Sequence, residues 1–209
     1  MNEKNVIKLL KSKLDFSDSS INKLKIFHNC LLDYNKKYNL ISKSTEKSVW
    51  SRHFLDSAQI LKYLDSKKPN NVADFGSGAG FPGIILAIQS SNPKFHVKLY
   101  EKSPIKREFL NKIKEKIELT NLEVKGNIYE GEITSEIIVC RAFKKLREIL
   151  DISREIVKKP HKLIVLKGKS AQDEVNNLSK EMIYKYRLEK SITNNELGIL
   201  IVDVIKQSE

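Results

Sequence analysis

Four of the eight glycines fall in one run, Asp74-Phe75-Gly76-Ser77-Gly78-Ala79-Gly80-Phe81-Pro82-Gly83. Lacking a Cβ, Gly76, Gly78 and Gly80 let the backbone turn tightly and approach a ligand closely. A strand-to-helix turn could also call for glycine, but three at alternate positions exceed what a turn needs. Failed matches narrow the ligand. A dinucleotide fingerprint begun at Gly76 requires glycine at position 81, where Phe81 stands. A P-loop begun at Gly78 reaches Gly83 on schedule but continues Ile84-Ile85 instead of Lys and Ser or Thr. With no lysine to reach phosphates, ATP or GTP chemistry is disfavoured. What remains, Asp-x-Gly-x-Gly-x-Gly, suits a ligand with adenosine and an amino acid but no pyrophosphate.

S-adenosylmethionine is such a ligand. Asp74, Gly76, Ser77, Gly78, Gly80 and Phe81 are the candidate cofactor-binding residues of the run. Glu101, closing the next expected strand, is placed to accept from two ribose hydroxyls; the alternative is a solvated charge at a strand end. Arg52, His53 and Asp56 could form a polar cluster facing the same pocket. Alternatively, Arg52 and Asp56, four apart, could pair only to orient their helix. The planar fork of Arg141 suits a cofactor carboxylate or an RNA phosphate. Lys167 is expected at a ligand-facing rim, contacting phosphate rather than taking part in chemistry. Cys30 and Cys140 lie far apart, outside any CxxC pair, and read as reduced, buried thiols. His28, His53, His96 and His161 lack HxH or HExxH spacing, so no metal site is expected.

The elements that must hold these groups follow from hydrophobic period. Phe27, Leu31, Tyr34 and Tyr38 recur as one apolar stripe within a helical first 66 residues. A second helix is expected from Thr45 to Leu64, with Trp50, Phe54, Ala58, Leu61 and Leu64 on its core face. Arg52 and Asp56 then lie opposite, with His53 near the boundary. Asp65-Ser66-Lys67-Lys68-Pro69-Asn70-Asn71 breaks the pattern and divides the chain into residues 1–66 and 67–209. Beyond it, Val72–Phe75, Val97–Tyr100, Leu122–Val124, Ile137–Cys140 and Leu163–Leu166 read as buried strands. Helices are expected over Phe81–Gln89, Pro104–Ile117 and Lys144–Val157, with Ser103 capping the second. Met182–Ile192 and Leu197–Ile205 read as a hairpin turning at Thr193–Glu196. The expected fold is α/β and Rossmann-like: a mostly parallel seven-stranded sheet with a C-terminal antiparallel hairpin, the class I methyltransferase layout. An N-terminal helical extension packs on it.

Composition sets the outer limits. The 209 residues, 40% hydrophobic and 31% charged, suit one globular domain with an appendage, or two small ones. Apolar runs such as Gly198–Val202 fall far short of the ~20 residues that cross a bilayer. The opening Met1-Asn2-Glu3-Lys4-Asn5 has no apolar stretch of signal-peptide length. The expectation is a cytoplasmic protein with no membrane partner, acting as a monomer. Lys and Arg number 38 against 26 Asp and Glu, a formal charge of +12. Such an excess favours polyanions, because neutralising phosphates releases counterions. It is spread along the chain, with 12 basic against 7 acidic residues in 1–66 and 26 against 19 thereafter.

Several blocks carry a narrower resemblance. Tyr38-Asn39-Leu40, Arg52-His53-Phe54-Leu55-Asp56-Ser57, the glycine run through Ile84, Arg141-Ala142-Phe143 and Leu166-Lys167-Gly168 occur in family order and spacing. The chain resembles the glucose-inhibited division protein B family, the bacterial small-subunit ribosomal RNA methyltransferase G, over roughly residues 30–170. The resemblance implies methyl transfer from S-adenosylmethionine to N7 of one guanine in 16S rRNA, with 16S rRNA or the small ribosomal subunit as partner. It implies cofactor contacts from Gly76, Phe81 and Arg141. A further contact follows the third strand, where the family usually reads Arg-x-Glu-Glu and this chain reads Asn127-Ile128-Tyr129-Glu130. An acid contact from Tyr129 is impossible there, so either Glu130 substitutes or the backbone of Ile128 and Tyr129 holds the adenine, the second being favoured. N7 has a free lone pair, so no residue need act as acid or base; Arg141, Arg52, His53 and Asp56 would contribute by position. Arg52 and Lys167 are the candidate substrate contacts. Two other classes share these features: a methyltransferase on a different acceptor, and a non-catalytic rRNA-binding assembly factor.

Overall fold

The computed structural model describes residues 1–65, 70–178, 185–194 and 196–204. Two helices come first. α1 (Glu3–Leu14) begins at Asn2, whose side chain accepts from Asn5 N, and buries Val6 and Leu10. α2 (Asp18–Tyr38) is capped by Ser17 and ends at Asn39 in the left-handed conformation. Phe27 and Leu31 of its stripe are fully buried, but Tyr38 is exposed. The stripe runs one turn past the surface it covers.

The single helix expected over Thr45–Leu64 does not form. Instead a 3₁₀ stretch (Lys43–Ser48) leads into a π turn (Trp50–Leu55), a short α3 (Asp56–Ala58) and a second 3₁₀ stretch (Gln59–Tyr63). Trp50 and Phe54 are core, as expected, but so are Asp56, expected on the opposite face, His53, expected near the boundary, and Gln59. A segment enclosed on nearly every side has no solvent face to impose a 3.6 period. Its winding follows its contacts, and π turns recur where side chains must be re-aimed.

Seven strands form one sheet: β1 (Asn70–Phe75), β2 (Phe95–Tyr100), β3 (Leu122–Lys125), β4 (Ile137–Arg141), β5 (His161–Lys167), β6 (Tyr186–Lys190) and β7 (Gly198–Val204). Their order is β3-β2-β1-β4-β5-β7-β6. The first five run parallel and β7 is antiparallel to both neighbours, the expected layout. Of the expected hairpin, residues 182–184, 195 and 205 lie outside the described residues. The crossovers are α4 (Gly83–Gln89), α5 (Pro104–Lys116) and α6 (Leu146–Ile156), joined by α7 (Ala171–Asn176), a helix that hydrophobic period did not reveal. Ser103 holds the N-cap position of α5 without a side-chain cap bond; its backbone N–H donates to Glu101 instead.

Both sheet faces are covered, which is why the strands read as continuous apolar runs. Val72, Leu99, Val139 and Ile164 pack with the N-terminal helices, α4 and α5. Ala73, Phe75, Ile138 and Cys140 pack with α6 on the other face. Burial pushes the Cys140 thiol pKa up; Cys30, expected buried, is half-buried. Phe27 of α2 stacks on Phe54 and Phe81 at 5.5 and 5.4 Å, so the N-terminal helices share a core with the glycine run. Between β1 and β4 the strand order reverses. That switch point opens a crevice at the carboxyl ends of the strands, between Gly76 and Arg141.

Candidate active site

The glycine run takes the conformations its composition suggested. Gly76, Gly78 and Gly80 all have positive φ, at +68°, +57° and +96°. A Cβ on Gly76 would collide with the Phe143 ring, whereas one on Gly78 would meet only Gly76 O, at 3.8 Å. The first glycine thus admits a neighbouring side chain and the second leaves open space. Around them the loop is pinned. Gly76 N and Ser77 N donate to Tyr100 O at 2.9 and 3.0 Å, Ser77 Oγ to Asp74 O at 3.0 Å, and Gly83 N to Asp74 Oδ2 at 2.9 Å. Asp74 is therefore a fully buried brace under the loop.

Glu101 is buried at the end of β2, and its two oxygens accept from Gly78 N (2.9 Å) and Ser103 N (2.8 Å). It is no solvated charge. A carboxylate offers about four lone-pair sites, so each oxygen can accept another bond. Glu101, Gly76, Ile128, Tyr129, Ala142 and Phe143 line one cleft of 420 Å³, within the range of small-molecule sites. Ile128 is buried while Tyr129 is exposed. Asn127 and these two residues line the cleft; Glu130 folds over Gly126, its carboxylate against the glycine.

A polar cluster does assemble across the switch point. Arg141 Nη2 donates to His53 Nδ1, and His53 Nε2 lies 2.9 Å from Thr45 Oγ1. With Nδ1 accepting from a guanidinium, the ring proton belongs on Nε2. Burial first, then the Arg141 and Arg52 charges, lower the His53 pKa to about 3, so the ring is neutral. Phe81 is stacked by His53 at 4.9 Å and faces the Arg141 guanidinium at 5.6 Å. Asp56 Oδ2 lies 3.7 Å from Arg141 Nη1. The carboxylate thus pairs across the site rather than serving only to orient its own helix against Arg52. Its other oxygen accepts from Gln59, Ser191 and Thr193 at 2.9, 3.1 and 2.9 Å, tying the β6–β7 turn to the site. Ser191 and Thr193 lie over 130 residues from Asp56 and Gln59, and contacts that far apart leave no local pattern in the sequence.

Arg52, Asp56, Arg141 and Lys167 line a second cleft, beside the first. Lys167 is a correction: its ammonium is held by Glu174 at 2.7 Å and Lys144 O at 2.9 Å, with the side chain 9% exposed. It is a strut between β5 and α7 rather than an open phosphate contact. Despite burial, the bonds from Lys167, Leu146 N and Ser170 hold Glu174 below the usual carboxylate range.

These residues fit S-adenosylmethionine. The space beside Gly78 would be filled by a Cβ, Glu101 retains accepting capacity, and buried Arg141 Nη1 makes no hydrogen bond among the described residues. Solved structures share the fold: precorrin-6y C5,15-methyltransferase from Geobacter metallireducens (TM-score 0.56, 14% identity, 80% of this chain and 93% of that one) and a SAM-dependent methyltransferase from Aquifex aeolicus (0.55, 18%, 78% and 96%). Sequence relatives are closer. A protein of Rickettsia bellii named ribosomal RNA small subunit methyltransferase G is 37% identical over 92% of this chain and 98% of its own length. Its namesake in Pelagibacter ubique is 36% identical over 87% of each. The family model described as GidB, rRNA small subunit methyltransferase G, matches residues 20–199. The chain belongs to the rRNA small subunit methyltransferase G family.

Proposed function

We propose that this protein transfers a methyl group from S-adenosylmethionine to N7 of a guanine in 16S rRNA, free or within the small ribosomal subunit. The observation that carries it is the glycine run facing the Arg141-Ala142-Phe143 turn across the β1–β4 switch point, in a chain of this family. When bound, the cofactor supplies an electrophilic methyl on a sulfonium. Gly76, Gly78, Gly80 and Phe81, braced by Asp74 and Ser77, form its cradle. Glu101 accepts from its ribose hydroxyls, Ile128 and the Tyr129 backbone take the adenine, and Arg141 takes its carboxylate. Guanine N7 loses no proton on methylation, so the protein need only align donor and acceptor and exclude water. Neutral His53 and the Asp56 carboxylate hold the Arg141 fork in place.

In this reading residues 1–66 are a helical extension packed on the methyltransferase domain of 67–209, and the protein works as a cytoplasmic monomer. Primer extension after N7-specific cleavage, on 16S rRNA from cells with and without the gene, tests the assignment. One guanine stop present only with the gene is expected; identical patterns overturn it.

A further inference from the structure

The second cleft, 330 Å³ in volume, adjoins the glycine-loop cleft, and Ala142, Phe143 and Lys144 line both. It opens at the carboxyl ends of β4 and β5 and the start of β7, where Arg141, Leu166 and Gly198 belong to its lining. Its inner wall is apolar: Ile149 and Val165 are essentially without exposed surface and Leu166 is 6% exposed. Its polar lining includes two ion pairs, Asp56 with Arg141 at 3.7 Å and Lys167 with Glu174 at 2.7 Å. An apolar wall with a few convergent polar groups is how a planar heterocycle is held.

The partition between the clefts is built with some strain. Ala142 has φ +50°, a conformation that costs a non-glycine residue free energy. This turn sends the Phe143 ring against Gly76, close enough that no Cβ fits between them, and sets it at 64° to the Phe75 ring with centroids 6.3 Å apart. Strain retained where two clefts meet points to a use for the ring.

We propose that this second cleft receives the acceptor nucleobase, a purine turned out of its RNA stack, and that Phe143 is the wall it stacks on beside the methyl donor. The inference rests on the methyltransferase reading above. A cleft of this size takes one base and its sugar, not a helix, so the base must leave the stack to enter. Stacking orients the ring plane while the Asp56 carboxylate, also in the lining, accepts from its polar edge. Both lysine ammoniums of the lining are held by carboxylates, Lys167 by Glu174 and Lys144 by Glu148. That matters because N7 methylation leaves the base cationic.

Two variants of the full chain test this, each assayed for S-adenosylmethionine affinity by calorimetry and for transfer to 16S rRNA. F143L keeps an apolar group against Gly76 but removes the ring face. L197W fills the second cleft, since Leu197 lines it and does not line the first. Base–aromatic stacking is worth about ten- to a hundredfold, so F143L should lose that much transfer with cofactor affinity kept within about twofold. L197W should bind cofactor normally and lose transfer. Full transfer by L197W, or a fall in cofactor affinity that accounts for the whole F143L defect, overturns the proposal. Absence of transfer by the unaltered protein would overturn the parent reading, and this one with it.

Discussion

Asp74 has no exposed surface, and burial pushes its pKa up to about 7 against the opposing bonds from Gly83 N and Ser77. The unfolded chain releases this proton near 3.8, so between those values the folded state binds more protons. The stabilisation is full below about pH 4 and is lost as pH rises through 7. D74N keeps an oxygen for Gly83 N and buries no charge. Relative to the unaltered protein it should gain up to ~4 kcal/mol between pH 4 and 8, checked by urea titrations at both ends; a constant difference would place the ionisation elsewhere. His53 has the opposite sign. Its pKa falls from 6.5 to about 3 on folding, so its stability contribution is full above pH 6.5 and lost on acidification through 3. H53N removes that acid sensitivity and still offers Arg141 an acceptor where Nδ1 stood. H53N should retain transfer within a few-fold, while H53A should lose about ten- to a hundredfold, the worth of a charge-assisted hydrogen bond. Equal activity in both variants would reduce His53 to a space-filler.

At the scale of elements, the glycine run is the clearest case of a loop shaped by its ligand. Gly78 has room for a Cβ and no neighbour to displace, only a positive φ. G78A should therefore cost the fold about 1–2 kcal/mol yet weaken cofactor binding by tenfold or more, separable by thermal unfolding and calorimetry. A variant with normal affinity would move the cofactor away from this loop. The run, the parallel strands and Arg141 at the end of β4 were all legible in sequence because each depends on local pattern: glycine spacing, apolar runs, a strand terminus. The Thr45–Leu64 segment was not. Its period of hydrophobics matched an α-helix, but enclosure by α1, α2 and α4 replaced periodicity with contact, and the π turn brought His53 and Asp56 inward. The ion pair of Lys167 was hidden for a related reason, since its partner Glu174 sits on α7, too short a helix to announce itself. The strand-end position of Glu101 was readable, while its bonds to Gly78 N and Ser103 N required the folded loop.

Across the whole molecule the +12 charge needs a location before it can be a docking surface. Lys102 and Lys106 line the cofactor cleft around the start of α5, beside the cleft proposed to take the base, and a backbone seated there would meet their ammoniums. Lys114 and Lys116 occupy the last turn of the same helix, which at 1.5 Å per residue lies roughly 15 Å farther along. The two pairs carry equal charge, one at or just before the start of α5 and one at its end, at different distances from the site, and this separates docking from a diffuse field. Removing one phosphate-neutralising lysine should flatten the dependence of log K on log salt by about 0.7–0.9. K102A/K106A should reduce that slope by about 1.4–1.8 and weaken rRNA binding at low salt. K114A/K116A should leave the slope nearly unchanged. If both doubles reduce it equally, the basic charge acts as a general attraction and the rim of the cleft has no special part in seating the RNA.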